Sequence, residues 1–465
     1  MCGVFGIRSA ERDVARLSYF GLFALQHRGQ EAAGIAVSDR GRLTVLRDMG
    51  LVAQVFDEEK LQALPGEVAI GHTRYSTTGA NAWANAQPLV QHGRARTVAL
   101  GHNGNLTNTT DLRAALSAEG IALGATSDTE AIAALIAHDP SPLPLAVAQA
   151  MARLEGAYSI VALSEGKLVG FRDPHGIRPL AIGRLTNPEG GIDWVLASET
   201  CALDLIGAVF ERDVRPGEVV VIDEHGLSST QALLEGRQAL CIFEHVYFAR
   251  PDSTLGGSEV HGVRVRMGER LAVEAPADAD LVMPIPDSGT PAAVGFSRAS
   301  GIPYSEGLVK NRYVGRTFIQ PDETLRRQGI KMKFNPLAEV AGKRLVIVDD
   351  TIVRGSTTHQ LVAMLFDAGA AEVHVRVSSP PIVSPCFYGI DMADEEQLAA
   401  AHRSVEQMRE LIGATSLHYL SPEGMQAATR LPEASVCRAC FTRDYPTRVP
   451  ESRNLAKLRF EPATS

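Results

Sequence analysis

A chain of 465 residues exceeds what one hydrophobic core supports, and at about 150 residues per domain it implies two or three domains. Its 45% hydrophobic and 21% charged residues exclude a disordered, collagenous or disulfide-scaffold protein, and a net charge of -9 disfavours nucleic acid and anionic lipid as partners. No run approaches the roughly 18 apolar residues that span a bilayer, and Arg8, Glu11, Arg12 and Asp13 leave no room for a secretory signal. The expectation is a soluble, cytoplasmic protein with no membrane contact, whose six cysteines are nucleophiles, metal ligands or filler rather than disulfides.

In chain order, Cys2 comes first. A second residue this small permits removal of Met1, leaving a cysteine with its own α-amine. An amine with pKa about 8 can take the thiol proton and leave a nucleophilic thiolate. Taken alone, Cys2 reads better as the second residue of a buried strand, and its surroundings reverse that preference. Short β-type runs at 34–37 and 68–72, and helical stretches at 111–117 and 128–138, predict stacked sheets with flanking helices.

Two glycine-bounded polar clusters follow Cys2. The run from Gly71 to Ser76 ends a strand with Arg74, a cation suited to a substrate carboxylate. In Gly101-His102-Asn103-Gly104-Asn105, the Asn103 side chain and the Gly104 N–H supply two donors of the kind an acyl-transfer oxyanion needs. Asp128 can pair with an α-ammonium; it also suits a helix N-cap ahead of Glu130, as Asn103-Gly104 suits a turn and Arg74 a surface ion pair.

The pattern changes near residue 235, dividing the chain into domains 2–235 and 236–465. Beyond it, apolar runs at 280–284 and 344–348 precede helical stretches at 292–300 and 357–368, the alternation of a parallel, doubly wound sheet. Ser288, in Pro286-Asp287-Ser288-Gly289, can meet pyrophosphate oxygens or a metal, or simply form a turn. A basic segment runs from Lys310 through Arg312, Arg316, Arg326, Arg327 and Lys331 to Lys333, suited to cover an anionic substrate. After residue 348 come Asp349-Asp350 and Thr351-Ile352-Val353-Arg354-Gly355-Ser356-Thr357-Thr358. Small hydroxyls and a glycine there let backbone N–H groups converge on a phosphate at a helix N-terminus, while the two carboxylates suit ribose hydroxyls or Mg²⁺. The last seventy or so residues read as a helical extension. Cys241, Cys386, Cys437 and Cys440 make the count of a closed metal site. The spacing Cys437-Arg438-Ala439-Cys440 admits zinc, an iron–sulfur cluster or plain burial, and on spacing alone zinc is favoured over a cluster.

The ordered set formed by Cys2 to Gly6, Gln26 to Glu31, His72 to Gly79, His102 to Asn108 and Ser127 to Glu130 resembles the glutaminase domain of class II amidotransferases, which are N-terminal nucleophile hydrolases. Residues 348–357 resemble the phosphoribosyl pyrophosphate fingerprint of type I phosphoribosyltransferases. With Phe243 to Pro251, Ser379 to Asp391 and Cys437 to Phe441, the likeness runs nearly end to end to the amidophosphoribosyltransferase family, in its iron–sulfur subgroup.

That resemblance implies an α+β N-terminal nucleophile hydrolase sandwich followed by an α/β type I phosphoribosyltransferase domain. It implies Cys2 as nucleophile, Asn103 and Gly104 as oxyanion hole, and Arg74 and Asp128 as the glutamine clamp. Phosphoribosyl pyrophosphate would be held by Asp349, Asp350, Thr351, Arg354, Gly355, Ser356, Thr357 and Lys333, and one Mg²⁺ per subunit by Ser288, Asp349 and Asp350. One 4Fe-4S cluster per subunit would sit on Cys241, Cys386, Cys437 and Cys440. Purine nucleotide feedback inhibitors and a homotetramer are further implications. The rival readings are another class II amidotransferase, such as a glucosamine phosphate or asparagine synthetase, and a non-catalytic regulator that binds phosphoribosyl pyrophosphate.

Overall fold

A computed structural model of the chain describes residues 1–76, 79–187, 190–311, 332–392 and 394–449. The first thirteen strands form two antiparallel sheets. They are β1 (Gly3–Arg8), β2 (Ala32–Asp39), β3 (Arg42–Met49), β4 (Val68–Arg74), β5 (Leu89–His92), β6 (Thr97–Leu106), β7 (Gly156–Ser164), β8 (Lys167–Arg172), β9 (Ala181–Thr186), β10 (Ile192–Ala197), β11 (Val209–Asp213), β12 (Glu218–Asp223) and β13 (Gly226–Gln231). One sheet has the order β11-β9-β10-β1-β4-β2-β3 and the other β13-β12-β8-β7-β6-β5.

Alternation along β1 shows how the layers form. Val4 points inward to meet Ile70, Val161 and Leu196 between the sheets. Phe5 and Ile7 point outward against Leu22 of the helix Val14–Ala24. A second helical layer, Asp128–His138 and Leu143–Met151, covers the six-stranded sheet through Ile132, Ile136 and Val147. With both faces covered, all seven residues of β4 are buried, and the strand reads as a continuous run rather than an alternating one.

Beyond β13 the chain enters the second unit at β14 (Leu240–Cys241), and a small ribbon, β15 (Thr254–Leu255) with β16 (Ser258–Glu259), precedes the helix Val260–Glu274. Its main sheet is β17 (Leu281–Pro284), β20 (Arg344–Asp349), β21 (Glu372–Val377) and β22 (Ser416–Tyr419), parallel throughout and in that spatial order. Between them β18 (Leu308–Lys310) and β19 (Phe334–Pro336) form a separate antiparallel ribbon. Val346 and Val348 face the helices Val260–Glu274 and Thr290–Ser300, whereas Leu345 and Ile347 face Ser356–Asp367 and Val405–Ile412. The final strand, β23 (Val436–Cys437), returns to pair with β14.

The expected α+β sandwich followed by an α/β unit is what the chain forms. One expectation fails. The last seventy residues are not simply a helical extension, because the helix Val405–Ile412 leads into β22, the fourth strand of the parallel sheet. Ser-Leu-His-Tyr buries only Leu417 deeply, which an edge strand tolerates and an apolar-run criterion misses.

Candidate functional site

The first site lies where the ends of the two antiparallel sheets meet. Cys2 precedes β1, which pairs with β4 so that Gly3 faces Thr73, next to Arg74. Asn103 and Gly104 lie on β6 of the facing sheet. One hydrogen bond joins them: the Cys2 N–H donates to Asn103 Oδ1 at 3.3 Å. That bond orients the Asn103 amide. Its Nδ2 is then buried with no hydrogen-bond partner among the described residues, and such a donor costs about 1–3 kcal/mol unless a ligand takes it. Gly104 adopts φ +150°, and a Cβ there would stand 2.1 Å from the Ala157 carbonyl oxygen. No other residue presents this backbone.

The Cys2 thiol donates to Tyr75 O at 3.5 Å. Burial pushes the thiol pKa up, against the pull of the Met1 ammonium and Arg74. Met1 is itself buried, and burial brings its ammonium down to about 6. While Met1 is attached, the Cys2 nitrogen is an amide and cannot serve as a base.

Arg74 Nη1 stands 3.8 Å from Glu31, whose carboxylate also accepts from Ser76 N and Ser76 Oγ at 2.8 and 3.0 Å. Asp128 begins its helix after Ser127. Its Oδ2 accepts the Leu106 N–H at 3.0 Å, and its Oδ1 is 3.5 Å from His102 Nδ1. Burial opposes its ionisation, but His102 and these donors outweigh it and hold the carboxyl below its usual value. Next to Leu106 and Asp128, Thr107 Oγ1 and Ser127 Oγ are likewise buried without partners among the described residues.

The second site follows β20. The Asp350 N–H donates to Asp349 Oδ1 at 2.9 Å, and Asp350 accepts from Thr351 Oγ1 at 2.7 Å and from the Ser288 hydroxyl. Ser288, Asp349 and Asp350 thus come together. Burial, then the charge of Asp350, pushes the Asp349 carboxyl well up, and burial raises Asp350 as well. A hard divalent cation with oxygen ligands would relieve that pair. Gly355, at φ +79°, turns the chain into the helix that starts at Ser356. Arg354 is engaged with Gln397 Oε1. Lys333 lies just before β19, its carbonyl accepting from Asn311 N at 2.8 Å and its Nζ 5.4 Å from the Phe334 ring centre. Arg312, Arg316, Arg326, Arg327 and Lys331 of the basic segment lie outside the described residues.

Cys241 and Cys437 are register partners in the parallel pair β14–β23. With Cys386, Cys440, Arg178 and Tyr388 they line one enclosed cavity. Among the described residues no three metal-binding side chains converge on a single ion. Four thiols that line one cavity form a donor set of the kind that holds a metal centre. Burial pushes Cys241 up to about 11 and raises Cys437 and Cys440 further, so thiolates here need a cationic partner.

Sequence reasoning missed what joins the sites. Fully buried Arg28 pairs with Glu199 and, at 2.7 Å, with Glu244 of the second unit. The segment from Cys386 to Asp391 reaches back across the interface: Phe387 O accepts from Asn105 Nδ2 at 3.0 Å, and Asp391 Oδ2 from Tyr75 OH at 3.0 Å. Gly389 lies against Gly104, where a Cβ would come within 3.1 Å of that backbone. Both Gln26 to Glu31 and Ser379 to Asp391 were visible as motifs, but nothing local in them reveals contacts more than 200 residues apart in sequence.

A family model described as a glutamine amidotransferase domain matches residues 72–204. The chain is 53% identical over 468 residues to the amidophosphoribosyltransferase of Synechococcus elongatus, covering 100% of this chain and 95% of that one. Identity to the amidophosphoribosyltransferase of Mycobacterium tuberculosis is 50% over 470 residues, covering 98% and 88%. Among solved structures, the glutamine phosphoribosylpyrophosphate amidotransferase of B. subtilis, complexed with ADP and GMP, matches with a TM-score of 0.90 at 43% identity, over 97% of this chain and 98% of that one.

Proposed function

The chain belongs to the amidophosphoribosyltransferase family, and on that premise we propose how its own residues divide the work. The enzyme aminates phosphoribosyl pyrophosphate with the ammonia of glutamine, giving 5-phosphoribosylamine, glutamate and pyrophosphate, in the first committed step of purine synthesis.

Once Met1 is gone, the Cys2 α-amine takes the thiol proton, and Sγ attacks the side-chain carbonyl carbon of glutamine. The oxyanion is received by Asn103 Nδ2 and the Gly104 N–H. The proton passes to the departing ammonia, and water then hydrolyses the thioester to glutamate. Arg74 holds the substrate α-carboxylate and Asp128 its α-ammonium. The observation that carries this reading is the buried, unpartnered Asn103 Nδ2, fixed by the bond from Cys2 to the same amide.

In the second unit, Asp349 and Asp350 accept from the ribose hydroxyls. The N–H groups of Thr351, Gly355, Ser356 and Thr357 receive the 5-phosphate, with Arg354 beside it. Ammonia attacks C1 as the bond to pyrophosphate breaks, and Lys333 with the basic segment covers the leaving group. One Mg²⁺ per subunit, held by Ser288, Asp349 and Asp350, supplies positive charge to the pyrophosphate when bound. Cys241, Cys386, Cys437 and Cys440 hold one 4Fe-4S cluster that supplies a structural staple when bound. We further propose inhibition by purine nucleotides, a reading that the ADP and GMP in the B. subtilis complex support, and assembly as a homotetramer.

An electrophilic diazoketone analogue of glutamine tests the nucleophile. Peptide mass spectrometry is expected to place one adduct on Cys2, in chains that lack Met1. An adduct on another cysteine, or on chains retaining Met1, would overturn the assignment.

A further inference from the structure

Arg178 is a fully buried cation that the reaction does not use. It sits in the turn from β8 to β9 and is fixed from several directions. Its carbonyl accepts from Ser159 Oγ at 2.9 Å and from Arg172 Nε at 2.6 Å. The residue before it, Ile177, accepts the Cys241 N–H at 3.1 Å, so Arg178 emerges beside one of the four cavity cysteines. Its Nε donates to Tyr388 O at 2.8 Å, two residues beyond Cys386. Nη1 lies 3.4 Å from Glu244 Oε1 and, while Met1 is attached, 2.5 Å from Met1 Sδ.

Nη2 is different. It is buried and has no partner among the described residues, although the side chain lines the cavity enclosed by Cys241, Cys386, Cys437 and Cys440. A guanidinium cannot shed its proton to escape that cost. Glu244 accounts for Nη1, at 3.4 Å, and not for Nη2, and the same carboxylate also holds Arg28 at 2.7 Å. Among the described residues lining the cavity, Arg178 is the single cation.

Resting on the reading that the four cysteines carry a 4Fe-4S cluster, we propose that Arg178 is its buried charge partner, donating from Nη2 to the sulfur face and setting its reduction potential. With four thiolates, a 4Fe-4S core in its usual oxidised state carries net charge −2, and accepting one electron makes it −3. A fixed cation stabilises the second state more. Hydrogen bonds to sulfur and local net charge are the levers a protein has over such a potential. Arg178 is a positioning and tuning residue, not a catalytic one.

The test uses the full chain, reconstituted anaerobically, with iron and sulfide content measured first and potentials read by film voltammetry. Arg178→Gln is expected to load the cluster but shift its potential negative, lowering the reduced-to-oxidised ratio at fixed potential about tenfold, or roughly 59 mV for a one-electron couple. Arg178→Lys, which keeps the charge, is expected to recover most of the shift. A fully loaded Arg178→Gln protein with the wild-type potential would overturn the proposal. If the variants do not assemble, wild-type protein labelled with ¹⁵N-arginine and reduced by cryogenic radiolysis decides by pulsed EPR. Coupling to an arginine nitrogen supports the contact, and its absence overturns it. Wild-type protein that takes up no iron and sulfide would instead sink the cluster reading on which the proposal rests.

Discussion

At the scale of single residues, the proposed glutaminase site depends on one amide held in one orientation. Asn103 Oδ1 accepts from Cys2, so Nδ2 must face whatever replaces its missing partner. Asn103→Ala is expected to lower glutamine-dependent kcat about 10²–10³-fold with KM little changed, because the donor acts on the oxyanion rather than on bound glutamine. Steady-state glutamate release at saturating glutamine measures this, and a change confined to KM would assign Asn103 to binding instead. Cys2, Asn103-Gly104 and Asp349-Asp350 could be singled out as candidates because each belongs to a contiguous string whose chemistry depends on near neighbours, and the structure brings Cys2 onto Asn103. Arg28, Arg178 and Glu244 could not be, since an ion pair buried between segments leaves no periodicity to read.

Elements meet at two tight places. Glu199, at the start of the helix Thr200–Leu205, and Glu244 both hold Arg28. Burial opposes ionisation of Glu199, but Arg28 and then His27 outweigh it and hold the carboxyl far below the usual range. A depressed carboxyl contributes stability that is fully present above its unfolded pKa, about 4.3, and is lost as pH falls toward the folded value. The stability difference between wild type and Glu199→Gln, from urea unfolding, should therefore be present at pH 5 and shrink below about pH 4. A difference that does not shrink as the pH falls below 4 would contradict the assignment. Arg28→Met deprives two buried carboxylates of their closest guanidinium, leaving Glu199 to His27 and Glu244 to Arg178 at 3.4 Å, and should cost about 3–5 kcal/mol in the same assay.

The other tight place is Gly389 on Gly104, where Gly389 holds φ +104° and a Cβ would crowd the Gly104 backbone at 3.1 Å. Gly389→Ala should reduce glutamine-dependent turnover roughly tenfold while ammonia-dependent turnover is retained, as parallel assays with the two nitrogen donors would show. Equal loss with both donors would mean general disruption. The helix Asp128–His138 and the strands around 68–72 and 344–348 were legible from apolar pattern. β22 was not, because an edge strand that buries little is held by pairing with β21, which composition does not record.

For the whole molecule, a sandwich followed by a parallel α/β unit was readable from the change in pattern near residue 235. How the units face each other was not. The contacts of Asn105 with Phe387 and Tyr75 with Asp391 put second-unit residues beside the proposed glutaminase site. The central claim is that two separable sites share one nitrogen atom. It is tested most directly by following glutamate and pyrophosphate together, with Mg²⁺, in wild type, Cys2→Ala and Asp349→Asn/Asp350→Asn. Wild type should release the two products in equal amounts. Cys2→Ala should release no glutamate yet form pyrophosphate when ammonia is supplied, and the double variant should form no pyrophosphate from either donor. Pyrophosphate release from Cys2→Ala with glutamine as the sole nitrogen source, or from the double variant with ammonia, would contradict the claim.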